Sequence, residues 1–325
     1  MYTILVTGVG AIIGYGIIRS LRASRFPVHI VGMDIYDDAV GQRWCDVFEQ
    51  AIRADESRYA EHLAGLIRQH SIDLVIPGIE QDMHRLAVDH ALAPLAQTNA
   101  RFVLNNPDLI RIADDKWLTH LELVKAGFPA IGTSIDGDFT ELAQRFGSPL
   151  LMKPRRSYAS KGIHELRTEA DFHYWKQKLG DQFMVQELVG DVHSEFTVGA
   201  FGLGDGNLVQ QIIFQRVLSS DGSTAKAVVR SIPELEIRVQ ELARRFRPDG
   251  PTNFQFRLHR GEYLLLEINP RISSSTSLRT AFGYNEAEMC VEYYLGGNVP
   301  AARTLRSGSA ARFIEDWVTY AGDSR

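Results

Sequence analysis

The spacing of apolar residues changes about a third of the way along the chain. Up to about residue 100, short apolar runs typical of strands alternate with segments whose apolar residues recur at helical spacing. Strands joined by helices run parallel, so this part predicts an α/β domain, a Rossmann-like parallel sheet with helices on both faces. The later part contains paired alternating runs, which indicate antiparallel strands and an α+β fold. The first part has predicted strands over residues 2–7, 28–34 and 72–77 and predicted helices up to about residue 23 and over 59–70 and 83–95.

A glycine-rich turn follows the first predicted strand. Gly8, Gly10 and Gly14 form G-x-G-x-x-x-G, and Asp34 ends the second strand. In a dinucleotide site such glycines bring the backbone close to a pyrophosphate, and the acid binds a ribose. The same glycines also allow the first helix to pack against the first strand. Because a lone glycine fingerprint is a weak signal, the structural interpretation is favoured over cofactor binding.

Composition and charge exclude several classes of protein. The chain has 325 residues, 45% hydrophobic and 23% charged, with a formal net charge of −5. This balance is typical of globular domains and gives no basic footprint for nucleic acid. Cys45 and Cys290 are the only cysteines, which argues against a disulfide framework and favours a reducing, cytoplasmic location. No apolar run approaches the roughly 20 residues of a membrane span, so no membrane partner and no signal peptide are expected.

Polar side chains gather at the end of an apolar run in the last quarter of the chain. Glu267 and Asn269 lie two residues apart, which places them on one face of a strand. Gln255 lies on an earlier alternating run, and a hairpin across residues 259–262 would bring the three side chains together. A few hard oxygen ligands, with room left for phosphate oxygens, suit Mg²⁺. Arg271 adds a cation, so we predict a place where nucleotide phosphates are held and transferred.

Further polar features precede this cluster in a definite order. They are Lys116, Lys153, the basic loop 155–162, and the segment that contains Gln186, Glu187 and Glu195. With Gln255, Glu267, Asn269 and Arg271 at its end, this ordered set resembles the ATP-grasp superfamily. The resemblance is strongest to the ligases similar to the ATP-binding halves of carbamoyl-phosphate synthetase, and it covers about residues 1–300.

The resemblance implies a fold and an activity. It implies an N-terminal Rossmann-like domain over residues 1–107, then a two-lobed α+β ATP-grasp fold with a small lobe over 108–187 and a large lobe over 188–325. It also implies an ATP-dependent ligase that joins a small-molecule carboxylate to an amine through an acylphosphate, forming an amide bond. The cofactors would be ATP and Mg²⁺, with Mn²⁺ as an alternative ion. Relatives are often dimers, so a homodimer is expected.

The resemblance also implies roles for individual residues. The residues expected to bind ATP are Lys116, Lys153, Ser157, Ser160, Lys161, Gly162, Gln186, Glu187, Leu188 and Glu195. The lysines and the loop would hold the phosphates, Glu187 and Leu188 the adenine edge, and Glu195 the ribose. Gln255, Glu267 and Asn269 would be the metal ligands, and Arg271 and Lys153 the catalytic groups. Read without the resemblance, Glu195 could equally be a cross-strand ion-pair partner.

The sequence constrains the substrate contacts and the alternative functions less than it constrains the ATP site. Arg230 and Ser275 are candidate contacts for the carboxylate substrate. A nucleotide-binding regulator without turnover stays an alternative, as does an NAD(P)-dependent oxidoreductase or epimerase that uses the glycine turn. The sequence departs from the family pattern in two places. No glycine precedes Gly162 in the loop, and Gly199 stands where many relatives have an acid.

Overall fold

Three β-sheets organise the chain, and the first is built from its N-terminal strands. The computed structural model describes residues 1–88, 93–157, 162–318 and 320. The elements of this first part are β1 (Tyr2–Thr7), α1 (Ile12–Arg22), β2 (Val28–Asp34), β3 (Val47–Gln50), α2 (Tyr59–His70), β4 (Leu74–Ile76), α3 (Glu80–Leu86) and β5 (Arg101–Phe102). The strands lie in the order β3-β2-β1-β4-β5, and every pairing is parallel. The predicted parallel sheet is therefore confirmed.

The first part differs from the sequence prediction in two details. The helix predicted over residues 83–95 is wrong in its bounds, because α3 runs from Glu80 to Leu86 and a separate 3-10 turn covers Leu95–Gln97. Pro94 precedes that turn, and a proline cannot continue a helix from upstream residues; residues 89–92 lie outside the described ranges. The strands β3 and β5 were not predicted, since runs of four and two residues are too short to show a period.

A four-stranded antiparallel sheet forms the middle of the chain. Its strands are β6 (Thr133–Ser134), β7 (Leu150–Pro154), β8 (His164–Leu166) and β9 (Phe183–Glu187), and the helices of this part are α4 (Pro107–Asp114), α5 (Lys116–Lys125), α6 (Phe139–Phe146) and α7 (Glu169–Leu179). The strand order is β6-β9-β7-β8. Leu150, Met152 and Val185 share one apolar core with Phe172 of α7. This small core fixes β7 and β9 side by side.

A six-stranded antiparallel sheet dominates the last part of the chain. Its elements are β10 (Glu195–Leu203), β11 (Leu208–Leu218), β12 (Thr224–Arg230), α8 (Pro233–Phe246), β13 (Asp249–His259), β14 (Glu262–Asn269), α9 (Thr276–Ala281), α10 (Glu286–Cys290), a π-helical turn (Val291–Leu295) and β15 (Ser309–Ala311). The order is β14-β13-β10-β11-β12-β15. The tail that follows residue 305 thus adds the edge strand β15, which pairs with β12.

Both faces of the six-stranded sheet are covered, and this explains its apolar strands. Ile213 packs in a core that contains Leu235 and Val239 of α8. Its neighbours in sequence, Ile212 and Phe214, belong to a different core, which includes residues of α1 and the first sheet. Alternate residues of a strand point to opposite faces, so the large sheet lies between α8 and the N-terminal part.

The domain boundaries predicted at residues 107 and 187 fall between the strands of successive sheets and stay a prediction. Within the part of the chain that the structure describes, no helix has the length and apolar character needed to cross a membrane.

Candidate functional site

The predicted hairpin is present, and its turn accounts for its register. β13 and β14 pair antiparallel from His259 and Glu262 onward. The two residues between them, Arg260 and Gly261, have φ values of 50° and 84°. Positive φ at both positions is the geometry of a two-residue type I′ turn, whose twist matches that of the strands.

A β-bulge decides which side chains of the hairpin meet. Gln255 lies opposite Glu267, but the next residue, Phe256, lies opposite Leu265, so Leu266 is an extra residue on β14. Residues directly opposite each other share one face of a sheet, and a shift by one residue would send Glu267 to the other face. The bulge therefore places Gln255 and Glu267 on the same side.

The structure brings the three predicted metal ligands together. Gln255 Nε2 and Asn269 Nδ2 donate to Glu267 Oε1 over 2.6 and 3.0 Å. Among the described residues, Glu267 Oε2 receives no hydrogen bond, and the side chain is half-buried. One carboxylate oxygen is thus fixed by two amides while the other is available.

This donor set fits a magnesium ion. A carboxylate and two amide side chains provide hard oxygen atoms. In the structure the amide oxygens of Gln255 and Asn269 accept from Arg216 and Arg271. The described residues contain no group of three or more His, Cys, Asp and Glu side chains that could hold a metal. Of the three predicted ligands only Glu267 is a carboxylate, so phosphate oxygens would complete the coordination of an ion held there.

Lys153 lies at the end of β7 beside the same cluster. Its Nζ donates to Gln186 Oε1 over 2.6 Å, and Gln186 Nε2 in turn donates to Thr133 Oγ1 over 3.0 Å. The side chain is 6% exposed. Burial, followed by the nearby charge of Lys116, lowers the pKa of Lys153 to about 8, while Glu267 acts in the opposite direction. These charges place Lys153 near both Lys116 and Glu267.

Lys116 is held at the base of the predicted phosphate loop. Asp115 caps α5 by accepting from Trp117 N at 2.9 Å, and its carboxylate also binds Arg155 Nη2 over 2.6 Å. The ammonium group of Lys116 donates to Ser157 O over 2.6 Å. Two more predicted loop residues, Ser160 and Lys161, lie outside the described residues, and Gly162 has a positive φ of 76°.

The predicted adenine hinge continues from β9. Glu187 N donates to Gly132 O over 2.8 Å, and its carboxylate lies 3.5 Å from His259 Nε2. Leu188 follows as a half-buried residue outside any strand. Beside this segment, Ile131, Val189 and Leu264 form a small apolar cluster with Leu266 at its edge.

Glu195 is held by two arginines that come from the neighbouring strands. Arg216 of β11 donates to Glu195 Oε1 from Nε at 3.2 Å and from Nη2 at 2.8 Å, and Arg257 of β13 donates to Oε2 at 3.0 Å. Glu195 is 4% exposed. The cross-strand ion pair left open by the sequence is therefore formed, and a ribose contact stays a prediction.

Arg216 also connects Glu195 to the metal-ligand cluster. Its Nη2 donates to Gln255 Oε1, and its Nη1 to Thr224 Oγ1 over 3.3 Å. Thr224 Oγ1 lies 2.9 Å from Ser275 Oγ. Ser275 is therefore joined to the cluster by hydrogen bonds through Thr224 and Arg216.

The other candidate substrate contact, Arg230, is not brought to the cluster. Arg230 is exposed, and its Nε donates to Gln215 Oε1 over 2.9 Å. Its role in substrate binding stays a prediction, with less structural support than that of Ser275.

Arg271 is the second residue after β14, and its side chain contacts the cluster. Its Nη2 donates to Asn269 Oδ1 over 3.0 Å, and its Nη1 to Ile272 O over 3.1 Å. The guanidinium also forms an ion pair with Glu80, the first residue of α3, through Nε at 3.2 Å and through Nη2. Glu80 was not singled out in the sequence, because nothing local marks a partner 191 residues away.

The glycine turn has structural partners. Asp34 Oδ2 accepts from Gly10 N over 2.8 Å, and its Oδ1 accepts from Tyr36 N over 3.0 Å. Gly14 lies on the buried face of α1 and has no room for a side chain, because a Cβ there would overlap the carbonyl of Gly8. These contacts favour the structural interpretation of the turn over dinucleotide binding.

Gly199 makes room for a buried arginine. Arg279 is fully buried and donates to Glu286 Oε1 over 3.0 Å and to Asn253 Oδ1 over 2.6 Å. A Cβ on Gly199 would lie 2.5 Å from Arg279 Nη1. The departure from the family pattern at Gly199 therefore follows from the space that Arg279 occupies.

The substitution Gly199→Ala is expected to destabilise the fold. Arg279 cannot move away without breaking its ion pair, so overpacking should lower the free energy of unfolding by about 1–3 kcal/mol. Gly65→Ala is the control: Gly65 lies within α2 with open space around its Cα, and alanine there should stabilise by about 0.5–1 kcal/mol. Urea denaturation of both variants measures the difference. A Gly199→Ala protein as stable as Gly65→Ala would contradict the packing argument.

Comparisons with known proteins show what this chain is similar to. The family described as ATP-grasp in the biosynthetic pathway with Ter operon matches residues 181–317. The large chain of carbamoyl phosphate synthase from Caldanaerobacter subterraneus subsp. tengcongensis is 22% identical over 246 residues. That alignment covers 70% of this chain and 23% of the relative, so the chain corresponds to about a quarter of the curated relative's length.

Solved structures share the same architecture. The ADP complex of N5-carboxyaminoimidazole ribonucleotide synthetase superposes with a TM-score of 0.72 at 18% identity, covering 94% of this chain and 79% of that one. The biotin carboxylase domain of the 2-oxoglutarate carboxylase from Hydrogenobacter thermophilus gives a TM-score of 0.71 at 16% identity, covering 94% and 73%.

The fold is that of the ATP-grasp enzymes, preceded by a Rossmann-like domain. The resemblance to the carbamoyl-phosphate-synthetase-like members of this class is confirmed. The relatives are enzymes by name, in agreement with the prediction of an ATP-grasp enzyme.

Proposed function

We propose that this protein is an ATP-dependent carboxylate–amine ligase that forms an amide bond through an acylphosphate. One observation carries the proposal. The side chains of Lys153, Glu267, Asn269 and Arg271, which come from different sheets, meet in one group linked by hydrogen bonds and charge. A protein that only binds a nucleotide has no need for a cation beside the metal ligands. Phosphoryl transfer needs the metal ligands and the cation together.

ATP would lie between the small sheet and the large sheet. Lys116 and Lys153 would neutralise its phosphates, and Glu187 and Leu188 would contact the adenine edge. The apolar cluster of Ile131 and its neighbours offers a surface for the base. The solved synthetase contains ADP and the carboxylase domain contains ADP with magnesium, which supports the choice of nucleotide and ion.

Magnesium would be held by Glu267, Gln255 and Asn269, with Mn²⁺ as an alternative ion. When bound, the ion would neutralise phosphate charge and orient the terminal phosphoryl group. Arg271 contacts Asn269, so its guanidinium can stabilise the charge that develops on the migrating group.

The reaction needs no nucleophile from the protein. An oxygen of the substrate carboxylate attacks the γ-phosphorus of ATP, the bond from that phosphorus to the bridging oxygen breaks, and ADP leaves. The amine nitrogen then attacks the acyl carbon, phosphate leaves with the bonding electrons, and the nitrogen loses a proton. The chain's residues position both groups and exclude water. The carboxylase domain similar to this chain was solved as a dimer, which supports the expected homodimer.

The lowered pKa of Lys153 predicts how nucleotide binding depends on pH. A lysine with a pKa of about 8 is cationic below that pH and loses its charge as the pH rises through it. Since the cation attracts phosphate, ADP–Mg²⁺ affinity should fall about tenfold between pH 7 and 9. Lys153→Arg, which stays charged, should give a flat profile. Calorimetric titration of ADP across this range checks it, and a flat profile for the wild type would contradict the assignment.

Phosphate release across a panel of carboxylates and amines tests the proposed activity. We expect release from ATP to require one carboxylate and one amine together, with the amide detected by mass spectrometry. ATP turnover that needs neither acid nor amine, or stabilisation against heat by ATP without any turnover on the panel, would favour the regulator instead. Stabilisation by NAD(P)⁺ and not by ATP would overturn both.

A further inference from the structure

A cleft of about 1630 Å³ lies at the carboxyl edge of the first sheet. Gly10 and Asp34, which follow β1 and end β2, lie at its base, and residues of α3 and α4 line its sides. Ligand sites for small molecules usually have volumes of roughly 300–1,000 Å³. The cleft is therefore large enough for a substrate bigger than a single amino acid.

The helix α3 connects this cleft to the proposed phosphoryl-transfer site. Its first residue, Glu80, forms the ion pair with Arg271, while Asp82, His84 and Arg85 line the cleft. One turn of helix therefore separates the two places. The helix α3 therefore carries both a residue that binds Arg271 and residues that line the cleft.

The arginines that line the cleft differ in whether they have a carboxylate partner. Three arginines already have a carboxylate partner in the cleft wall: Arg53 with Asp55 at 3.1 Å, Arg111 with Asp108 at 3.3 Å, and Arg156 with Asp114 at 3.2 Å. Arg85 forms no ion pair and no hydrogen bond with any described residue, and its Nε is buried without a partner. A buried donor without an acceptor is unfavourable, so an acceptor from a ligand would stabilise this arrangement.

The nearby carboxylates do not neutralise Arg85. Asp82 lines the cleft and is buried, and burial raises the pKa of its carboxyl group, while Thr7 and Tyr59 act in the opposite direction. Asp34 is engaged by the backbone amides of Gly10 and Tyr36. Among the described arginines that line the cleft, Arg85 is therefore the one whose guanidinium is available to bind an anion from a ligand.

We infer that the cleft binds the amine substrate and that Arg85 recognises an anionic oxygen group, carboxylate or phosphate, carried by that amine away from its reacting nitrogen. The assignment of this anion to the amine rests on the proposed ligase function. The binding of an anion at Arg85 does not, because it follows from the unpaired guanidinium and the shape of the cleft.

Paired amines that differ by one anionic group test this inference. O-phosphoethanolamine against ethanolamine, and β-alanine against β-alaninamide, are titrated calorimetrically into the full chain with ADP–Mg²⁺ present. We expect at least one anionic member to bind about tenfold more tightly than its neutral counterpart, as for a charge-assisted hydrogen bond. Arg85→Gln should abolish the preference and Arg85→Lys should restore part of it. Arg111→Gln, a cleft arginine that is already paired, should leave it unchanged.

The outcomes separate this inference from the proposed function. No preference in the wild type, a preference that survives in Arg85→Gln, or an equal loss in Arg111→Gln overturns the role of Arg85. Repeating the titrations without nucleotide shows whether the anion site works alone. If ADP–Mg²⁺ fails to bind while the Arg85-dependent preference persists, the ligase proposal fails and the anion site stands.

Discussion

Glu267→Ala is expected to lower the rate of phosphate release on the order of 10³-fold. The carboxylate of Glu267 is the one charged ligand in the proposed metal site, and its Oε1 orders the amides of Gln255 and Asn269. Without it the ion has two neutral donors from the protein, and the charge that develops on the phosphoryl group is poorly compensated. The fold should persist, because Glu267 is half-buried and contributes no apolar packing.

Glu262→Gln is the matched control for this experiment. Glu262 lies on the same strand as Glu267 and is exposed, so its removal should leave the rate unchanged. Glu267→Gln keeps the size of the side chain and should resemble the alanine variant in rate, with circular dichroism like that of the wild type. Full activity in either Glu267 variant would show that the metal assignment is wrong.

Arg271→Ala is expected to lower kcat about 10²-fold or more while the affinity for ADP–Mg²⁺ changes little. The guanidinium contacts Asn269 and lies beside the metal ligands, so its charge acts on the migrating group. An interaction made only in the transition state affects kcat rather than ground-state binding. Single-turnover measurements of phosphate formation give the rate, and titration of ADP gives the affinity.

Glu80→Gln tests whether α3 positions Arg271. Glu80 binds two nitrogens of the guanidinium, and a neutral partner would hold it less firmly. We expect a smaller loss of kcat than in Arg271→Ala, and no further loss when the two changes are combined, because both act through the same group. Arg306→Gln, at an exposed position, is the control. An Arg271→Ala enzyme within threefold of the wild-type kcat would remove Arg271 from the mechanism.

The hairpin at the centre of the site could be predicted because its signals are local. The apolar run before Glu267 and the turn residues Arg260 and Gly261 lie within a short stretch of chain. The bulge at Leu266 could not be predicted from alternation alone, yet it decides that Gln255 and Glu267 share a face. A bulge depends on how the strand packs against its neighbours, which a pattern of period two does not record.

Long-range ion pairs account for most of what the sequence did not reveal. Arg257 pairs with Glu195 only because β10 lies beside β13, and Glu80 meets Arg271 only because the start of α3 lies beside the residues that follow β14. Neither partner carries a local signal. The order of lysines, acids and amides along the chain indicated the class of fold, but the side chains that hold these groups in place depend on tertiary packing.

The central claim is that Glu267 holds the metal ion of a bound nucleotide, and one titration tests it most directly. ADP is titrated calorimetrically into wild type and Glu267→Gln, each with and without Mg²⁺, with NAD⁺ as the comparison ligand. We predict that Mg²⁺ strengthens ADP binding in the wild type, that this gain disappears in Glu267→Gln, and that NAD⁺ does not bind. An undiminished magnesium effect in Glu267→Gln, or binding of NAD⁺ in place of ADP, would contradict the claim.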